Sequence, residues 1–235
     1  MSSLKTTAQK AGLLYLLFSL VAICDEFFLS GGIVVSGDAA ATARNIIASE
    51  LTYRISILTG FVDLILFVLL VVSLYNLFKD VNRKHAMLMV LLVSMGIGIS
   101  LVNVALKTAP LILLSGSDYL SVFTKPQLDA LALGFLSLRG SGAMVATAFW
   151  GLWLFPFGML VIRSGFIPKL FGILLFVAGF AYFTSSVTSI VLPDYRHTVN
   201  QIVMPLYFGE IPIIFWLLIK GAKERQPQMQ ASELS

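Results

Sequence analysis

The sequence predicts an all-α fold, a polytopic transmembrane bundle of six helices, and three observations predict it. The chain has 235 residues, of which 58% are hydrophobic, and its mean hydropathy is +0.92. Only 12% of the residues are charged, whereas a soluble domain carries about 25%. Long apolar segments alternate with short polar connections, and about 20 apolar residues cross a bilayer core of about 30 Å. We therefore expect one transmembrane domain over residues 1–225 and a disordered cytoplasmic tail over residues 226–235.

The six apolar segments follow one another closely and leave no length for a soluble domain. The fourth of them ends near Ile162. The other five are predicted over Ala11–Ser30, Ile55–Phe78, Ala86–Leu106 with an extension toward Leu114, Pro168–Leu192 and Gln201–Ile219.

The connection from Asp38 to Arg54 is predicted to be an additional amphipathic helix. Asp38 is a favoured N-cap residue, and alanines fill the first turn. Helical periodicity places four apolar residues near one face, namely Ala43, Ile46, Ile47 and Leu51. We expect this helix on the outer membrane surface or over the mouth of the bundle.

The fourth segment begins with a helix-start signature, because Thr124 can cap, Pro126 fits the first turn and Gln127 can bond back. A continuous helix from there to the end of the segment would be about 55 Å long, which exceeds the membrane. The sequence leaves two alternatives: the helix projects from the bilayer, or it bends at the Gly-Ser-Gly of residues 140–142. Pro156 predicts a kink in either case.

The distribution of basic residues predicts that both termini are cytoplasmic. Ten of the sixteen lysines and arginines then lie inside and six outside, as the cytoplasmic excess of basic residues requires. The inside set is Lys5, Lys10, Lys79, Arg83, Lys84, Arg163, Lys169, Lys220, Lys223 and Arg225. This bias also accounts for the net charge of +4, so no nucleic-acid partner is predicted.

Glu210 is the most informative residue, because it lies near the middle of the sixth apolar segment. An acidic group at that depth is costly unless it is protonated, paired or hydrated. Pro205, Gly209 and Pro212 surround it and predict an interrupted helix. A proline leaves the carbonyl four residues earlier without a donor, here those of Gln201 and Phe208. Such breaks often form ion or substrate sites, although a protonated acid that bonds a neighbouring helix remains an alternative.

Further polar residues fall in the predicted outer halves of the spans, and Asp63 is the deepest of them. Together they predict a charged cavity that opens outward, with small-molecule or ion ligands. The alternative for the residues near helix ends is contact with lipid headgroups. The remaining candidates are Asp25, Glu26, Asn103, Lys107 and Arg139.

The sequence supplies no catalytic signature and no metal motif. Phosphate-binding loops, zinc-binding His-Glu-x-x-His helices and Gly-x-Ser-x-Gly elbows are absent. His85 and His197 are predicted on opposite faces of the membrane, so they cannot share a metal. We therefore predict no catalytic residue, no metal and no cofactor, and the assignment as an enzyme stays open. Small residues such as Ser94, Gly96 and Gly98 predict close helix packing.

Several stretches resemble a family of bacterial polytopic membrane proteins that is catalogued only as a domain of unknown function. The most specific is Arg163-Ser164-Gly165-Phe166-Ile167-Pro168-Lys169. The others are residues 37–43, 81–83, 170–174 and 178–182, and the resemblance covers residues 10–220. It implies a multi-pass protein of the bacterial cytoplasmic membrane and supplies no substrate or catalytic residue.

Three functions remain open at this point. The leading hypothesis is binding or transport of a small molecule or ion through the outward cavity, with Glu210 and Asp63 as central acids. The second is an intramembrane enzyme that acts on a lipid or isoprenoid with the same acids as general acid and base. The third is a structural or regulatory subunit that contacts lipids and a membrane-protein partner or a second copy of the chain.

Overall fold

The computed structural model describes residues 4–222, and these residues form helices and no strand. The predicted tail at 226–235 lies outside the described residues. Short turns of tighter or wider helix occur at Asp25–Leu29, Asp118–Leu120, Pro193–Tyr195 and Phe208–Glu210. The α-helices are α1 (Leu4–Cys24), α2 (Ala39–Ala48), α3 (Glu50–Phe78), α4 (Arg83–Leu106), α5 (Ala109–Leu113), α6 (Lys125–Leu152), α7 (Leu154–Ser164), α8 (Lys169–Val191), α9 (Arg196–Tyr207) and α10 (Ile211–Ile219).

Within residues 4–222, six segments are long and apolar enough to cross a membrane, which confirms the predicted fold class. Most of them begin a few residues before the positions expected from hydropathy, because polar first turns continue the same helices. The six are Leu4–Leu29, Glu50–Phe78, Arg83–Leu113, Lys125–Ser164, Lys169–Val191 and Pro193–Ile219.

The helices form a closed ring in which chain neighbours pack side by side. α1 packs on α3, α3 on α4, α4 on α6, and α6 and α7 on α8. The ring closes because α9 packs on α8 while α10 packs on α1. One end carries the short connections between α3 and α4 and between α7 and α8; the opposite end, which carries α2 and α5, is called the α2 end below.

Most side chains buried in the interior of the ring are apolar, and so are many of those on its exterior. Leu70, Leu74, Phe157 and Leu217 are fully buried in the main core. On the outside, apolar side chains such as Leu58 remain well exposed. A water-soluble protein rarely presents so continuous an apolar surface, so these faces are suited to contact lipid acyl chains.

The fourth span is interrupted at Trp153 and not at residues 140–142. α6 continues through the two glycines to Leu152, so the predicted glycine hinge is wrong. The break follows from Pro156, which cannot donate to the carbonyl of Leu152, and it agrees with the predicted kink. α6 alone is about 42 Å long at 1.5 Å per residue, in accord with the alternative of a projecting helix. The predicted start is confirmed, because Thr124 and Gln127 form a reciprocal capping box.

The helix that caps the bundle is shorter than predicted. Asp38 does cap it, since its Oδ1 accepts a hydrogen bond from the Ala41 N–H at 2.8 Å. The helix stops at Ala48, and the residues from Glu50 onward already belong to α3. Ala43 and Ile46 are buried, whereas Ile47 and Leu51 are exposed, so the predicted four-residue face is only half correct. α2 packs on α6, α3 and α5, which places it over the end of the ring.

Four glycines bring α6 and α7 unusually close to α8. A Cβ atom at Gly151 would lie 2.7 Å from the carbonyl oxygen of Gly179. A Cβ atom at Gly158 would lie 2.8 Å from the carbonyl oxygen of Gly172. The fourth span, α6 and α7, therefore contacts α8 backbone to backbone at two levels. The two levels are seven residues apart along each of the two antiparallel spans. Small residues at such crossings allow the van der Waals contact that holds membrane helices together.

Candidate functional site

A cavity of about 370 Å³ lies inside the ring, in the half nearer the α2 end. Six of the seven predicted binding residues line it, while Glu26 lies outside the lining and is exposed. The six are Asp25, Asp63, Asn103, Lys107, Arg139 and Glu210. They come from all six spans except the fifth, which contributes Tyr182. Antiparallel packing therefore brings together polar groups that are far apart in the sequence.

The polar groups occupy three depths, as the helix registers show. Asp25, Lys107 and Arg139 form the rim of the cavity. Measured along each helix from the end of the span opposite the α2 end, they lie about 32–38 Å away. Asp63 lies 15 residues from Phe78, or about 22 Å along α3. Glu210 lies deepest, about 14 Å from the end of α10 at Ile219.

Lys107 is buried and ties the rim together. Its Nζ donates to Ser30 Oγ at 3.0 Å, to the Ser56 carbonyl oxygen at 3.3 Å and to Asp25 Oδ2 at 3.5 Å. The backbone carbonyl of Lys107 accepts a bond from the Tyr53 hydroxyl at 2.7 Å. The lysine thus links α4 to α3 and to the end of the first span, and it neutralises Asp25 inside the protein. A merely headgroup-directed lysine would not be enclosed in this way.

Arg139 lies near Lys107 but has no comparable partner. Within residues 4–222, its guanidinium makes no ion pair within 4.0 Å. A guanidinium presents five N–H donors in a planar fork that suits carboxylate and phosphate groups. The rim therefore carries one satisfied cation and one whose donors remain available.

Asp63 and Asn103 lie below the rim. Asp63 Oδ1 is inaccessible to solvent and accepts no hydrogen bond from the part of the chain that the structure describes. Asn103 is buried, and a Cβ atom at Gly142 would collide with its side-chain oxygen. The second glycine of residues 140–142 therefore serves close approach of α6 to Asn103. An unpaired carboxylate oxygen inside a protein is costly, and the same carboxyl group lines the cavity.

Four aromatic rings form the floor of the cavity, defined here as Phe18, Phe67, Trp150 and Trp153. Phe67 is the centre, with its ring centroid 4.6 Å from Phe18, 5.1 Å from Trp150 and 5.5 Å from Trp153. It lies one helical turn from Asp63 on the same face of α3. The sequence analysis selected only polar candidates and none of these rings. Phe67 and Trp153 belong to the main core, and all four rings line the cavity.

Glu210 is held at the deep end by two tyrosines. The Tyr15 hydroxyl donates to Glu210 Oε2, and the Tyr182 hydroxyl interacts with the same carboxyl group. Tyr182 is stacked on Tyr207 with ring centroids 4.1 Å apart. No sequence pattern marks these tyrosines as partners of Glu210, because a tyrosine in an apolar helix is ordinary until a neighbouring helix supplies the acid.

Removal of the Tyr15 hydroxyl is expected to weaken the contact between α1 and the sixth span. Tyr15→Phe keeps the buried ring and deletes one bond to an acid, which costs about 1.5–3 kcal/mol. The thermal unfolding midpoint in detergent measures the effect, with Tyr119→Phe at an exposed ring as the control. Equal midpoints for the two variants would contradict a stabilising role for the bond.

The interruption of the sixth span is confirmed, but its chemistry differs from the prediction. The turn Phe208–Glu210 separates α9 from α10, and Pro212 sits in the first turn of α10. The Phe208 carbonyl is not free, because it accepts the N–H of Ile211. Pro205 does not break the helix, since α9 continues to Tyr207. A Cβ atom at Gly209 would lie 2.7 Å from the Leu174 carbonyl oxygen, so this glycine permits contact with α8.

The polar groups of the site are therefore side chains, supplied by five of the six spans, around an aromatic floor. Among residues 4–222, no three His, Cys, Asp or Glu side chains are grouped so that they could hold a metal ion. The arrangement offers hydrogen-bond acceptors at two depths, one available guanidinium and a wall of ring faces. It has the mixture of apolar walls and few polar groups that small-molecule sites show.

Comparisons with known proteins identify relatives but no function. Residues 10–221 match the family described as a domain of unknown function (DUF4386), which confirms the predicted resemblance. An uncharacterized protein of Archaeoglobus fulgidus is 32% identical over 169 residues, which cover 72% of this chain and 85% of that protein. No solved structure matches the chain.

Proposed function

The chain belongs to the family described as a domain of unknown function (DUF4386), and we propose that it is a membrane protein that binds a small molecule or ion in its central cavity. The observation that carries the proposal is the convergence of six polar residues from five spans on one cavity. Charged groups inside a membrane are costly and usually serve a ligand or a pathway. If these groups only held helices together, each would need a protein partner, whereas Asp63 Oδ1 has none among the described residues.

The size of the cavity supports a small ligand. About 370 Å³ lies at the lower end of the roughly 300–1,000 Å³ found for small-molecule sites. Below the aromatic floor the ring is filled by buried apolar side chains, among them Leu70, Leu74 and Phe157. This packing favours binding in a closed-ended cavity over conduction through an open pore. Transport would then require the bundle to open on the other side.

The charge asymmetry of the connections supports placing the α2 end outside the cytoplasmic membrane, with both termini inside. In that orientation the cavity opens outward, with the rim at the interface and Asp63 about 10 Å deeper. A ligand would then enter from the outer face.

The direct test is native mass spectrometry of the gently purified protein, with metals measured in the same sample. We expect a stoichiometric bound species in the wild type that is lost in Asp63→Asn and in Glu210→Gln. Both substitutions keep side-chain shape, and glutamine can still accept the Tyr15 bond. Asp118→Asn is the matched control, because Asp118 is an exposed acid outside the cavity.

Loss of the bound species in both cavity variants, with retention in the control, supports the site. A bound species that survives Asp63→Asn and Glu210→Gln, or an empty wild type, would overturn the proposal. In that event the polar groups serve as contacts between helices, and a role as a structural or regulatory subunit is favoured over ligand binding.

A further inference from the structure

Two groups in the cavity have unused bonding capacity, and they carry opposite charge. Arg139 at the rim has no ion pair, and Asp63 below it has a buried oxygen without a donor, within residues 4–222. The other charges are already used by the protein. Lys107 and Asp25 pair with each other, and Glu210 accepts the Tyr15 hydroxyl. The ligand therefore faces one free cationic site and one free anionic site.

The surroundings of Asp63 favour an organic cation over a metal ion. A hard cation such as Ca²⁺ takes six to eight oxygen ligands, and among residues 4–222 no group of three acidic or other metal-binding side chains includes Asp63. Phe67 lies one helical turn below Asp63, and its ring centroid is 5.1 Å from that of Trp150, which also lines the cavity. Ring faces attract ammonium groups, and a nearby carboxylate adds direct charge pairing. An ammonium group with apolar substituents would satisfy both.

The surroundings of Arg139 favour an acidic group. The neighbouring cation, Lys107, is paired with Asp25, so Arg139 supplies the free positive charge that an anion would meet there. Ser56 lies at the level of the rim, because its carbonyl oxygen accepts a hydrogen bond from Lys107 Nζ at 3.3 Å. Asp63 follows Ser56 by seven residues in α3, or about 10 Å. The two free sites are therefore separated along the cavity axis by roughly the length of a short alkyl chain.

We propose that the cavity takes an elongated zwitterion, with an organic ammonium group at Asp63 above the aromatic floor and a carboxylate or phosphate at Arg139. This inference rests on the proposed binding function and specifies its ligand class. Apolar walls between the two charges, such as Val104 and Ala143, suit a hydrocarbon spacer. The same chemistry is available from a free amphipathic molecule or from a zwitterionic lipid headgroup.

The test uses three probes of matched length: ω-aminooctanoate, octylamine and octanoate. Binding to the full-length protein in nanodiscs of phosphatidylglycerol is followed by the fluorescence of Trp150 and Trp153, which line the cavity. We expect ω-aminooctanoate to bind the wild type most tightly. Asp63→Asn should weaken the binding of ω-aminooctanoate and of octylamine by about tenfold or more, and should leave the affinity for octanoate unchanged. Arg139→Gln should weaken the binding of ω-aminooctanoate and of octanoate, and should leave the affinity for octylamine unchanged.

The controls are Asp118→Asn and Arg44→Gln, two exposed charges outside the cavity, which should leave all three affinities unchanged. Failure of the wild type to bind any probe, or equal weakening of all three probes by both variants, would overturn the zwitterion assignment. A co-purified species that is still lost in Asp63→Asn would then leave the binding site standing with another ligand class.

A repeat in nanodiscs of phosphatidylethanolamine separates the two sources of the ligand. Competition by that lipid, seen as weaker probe binding than in phosphatidylglycerol, would assign the recognition to a lipid headgroup. Unchanged probe binding would assign it to a free molecule.

Discussion

Replacement of Lys107 by methionine is expected to destabilise the protein by about 3–5 kcal/mol, because it removes one partner of a buried ion pair. The Lys107 side chain is 6% exposed and that of Asp25 is 18% exposed. Without the ammonium, Asp25 remains charged and enclosed, and Ser30 and the Ser56 carbonyl each lose a donor. Methionine retains most of the apolar stem, so the loss comes mainly from the charge and its bonds.

The thermal unfolding midpoint and the denaturant midpoint in a fixed detergent measure this effect. Lys84→Met at an exposed position in the first turn of α4 is the matched control and should change little. The double variant Lys107→Met with Asp25→Asn should recover part of the loss, because it removes the stranded charge. A Lys107 variant as stable as the Lys84 variant would show that the rim pair contributes nothing to folding.

Alanine at Gly151 is expected to destabilise the contact between α6 and α8 by about 1–3 kcal/mol, as overpacking does in a tight core. The added methyl would meet the Gly179 carbonyl oxygen at 2.7 Å and the Phe183 nitrogen at 2.8 Å. Both are backbone atoms, so a whole helix must move to accommodate it. The displacement would reach the cavity floor, because Trp150 and Trp153 flank the glycine.

Gly140→Ala in the same helix is the control, since a Cβ atom there meets nothing within 4 Å. It should be neutral or slightly stabilising, because alanine has the higher helix propensity. The unfolding midpoint and the tryptophan emission spectrum report on packing and on the floor, respectively. Equal unfolding midpoints and equal emission spectra for the two alanine variants would argue against close packing of α6 on α8 at Gly151.

The contacts of Gly151 and Gly158 with α8 could not be predicted from the sequence. The sequence analysis selected Ser94, Gly96 and Gly98 as packing residues from their spacing, and Gly96 does meet Trp150. Gly151 and Gly158 are seven residues apart, as are Gly172 and Gly179. These equal spacings become informative only when the fourth span, α6 and α7, packs antiparallel to α8. Likewise, residues 140–142 resembled a hinge, but helix packing uses Gly142 for contact with Asn103. Local flexibility is a property of a residue, whereas close approach is a property of a pair.

The sequence by itself determined the class of solvent, the six spans and the depth of each polar residue, because hydropathy and helix rise are local quantities. It therefore located Glu210 and Asp63 correctly inside apolar segments. Only the tertiary structure decided that six of the seven polar candidates share one cavity, that Glu26 does not, and that aromatic rings form its floor. The order of helices around the ring depends on the sum of many side-chain contacts between distant segments, and no periodicity within one segment records it.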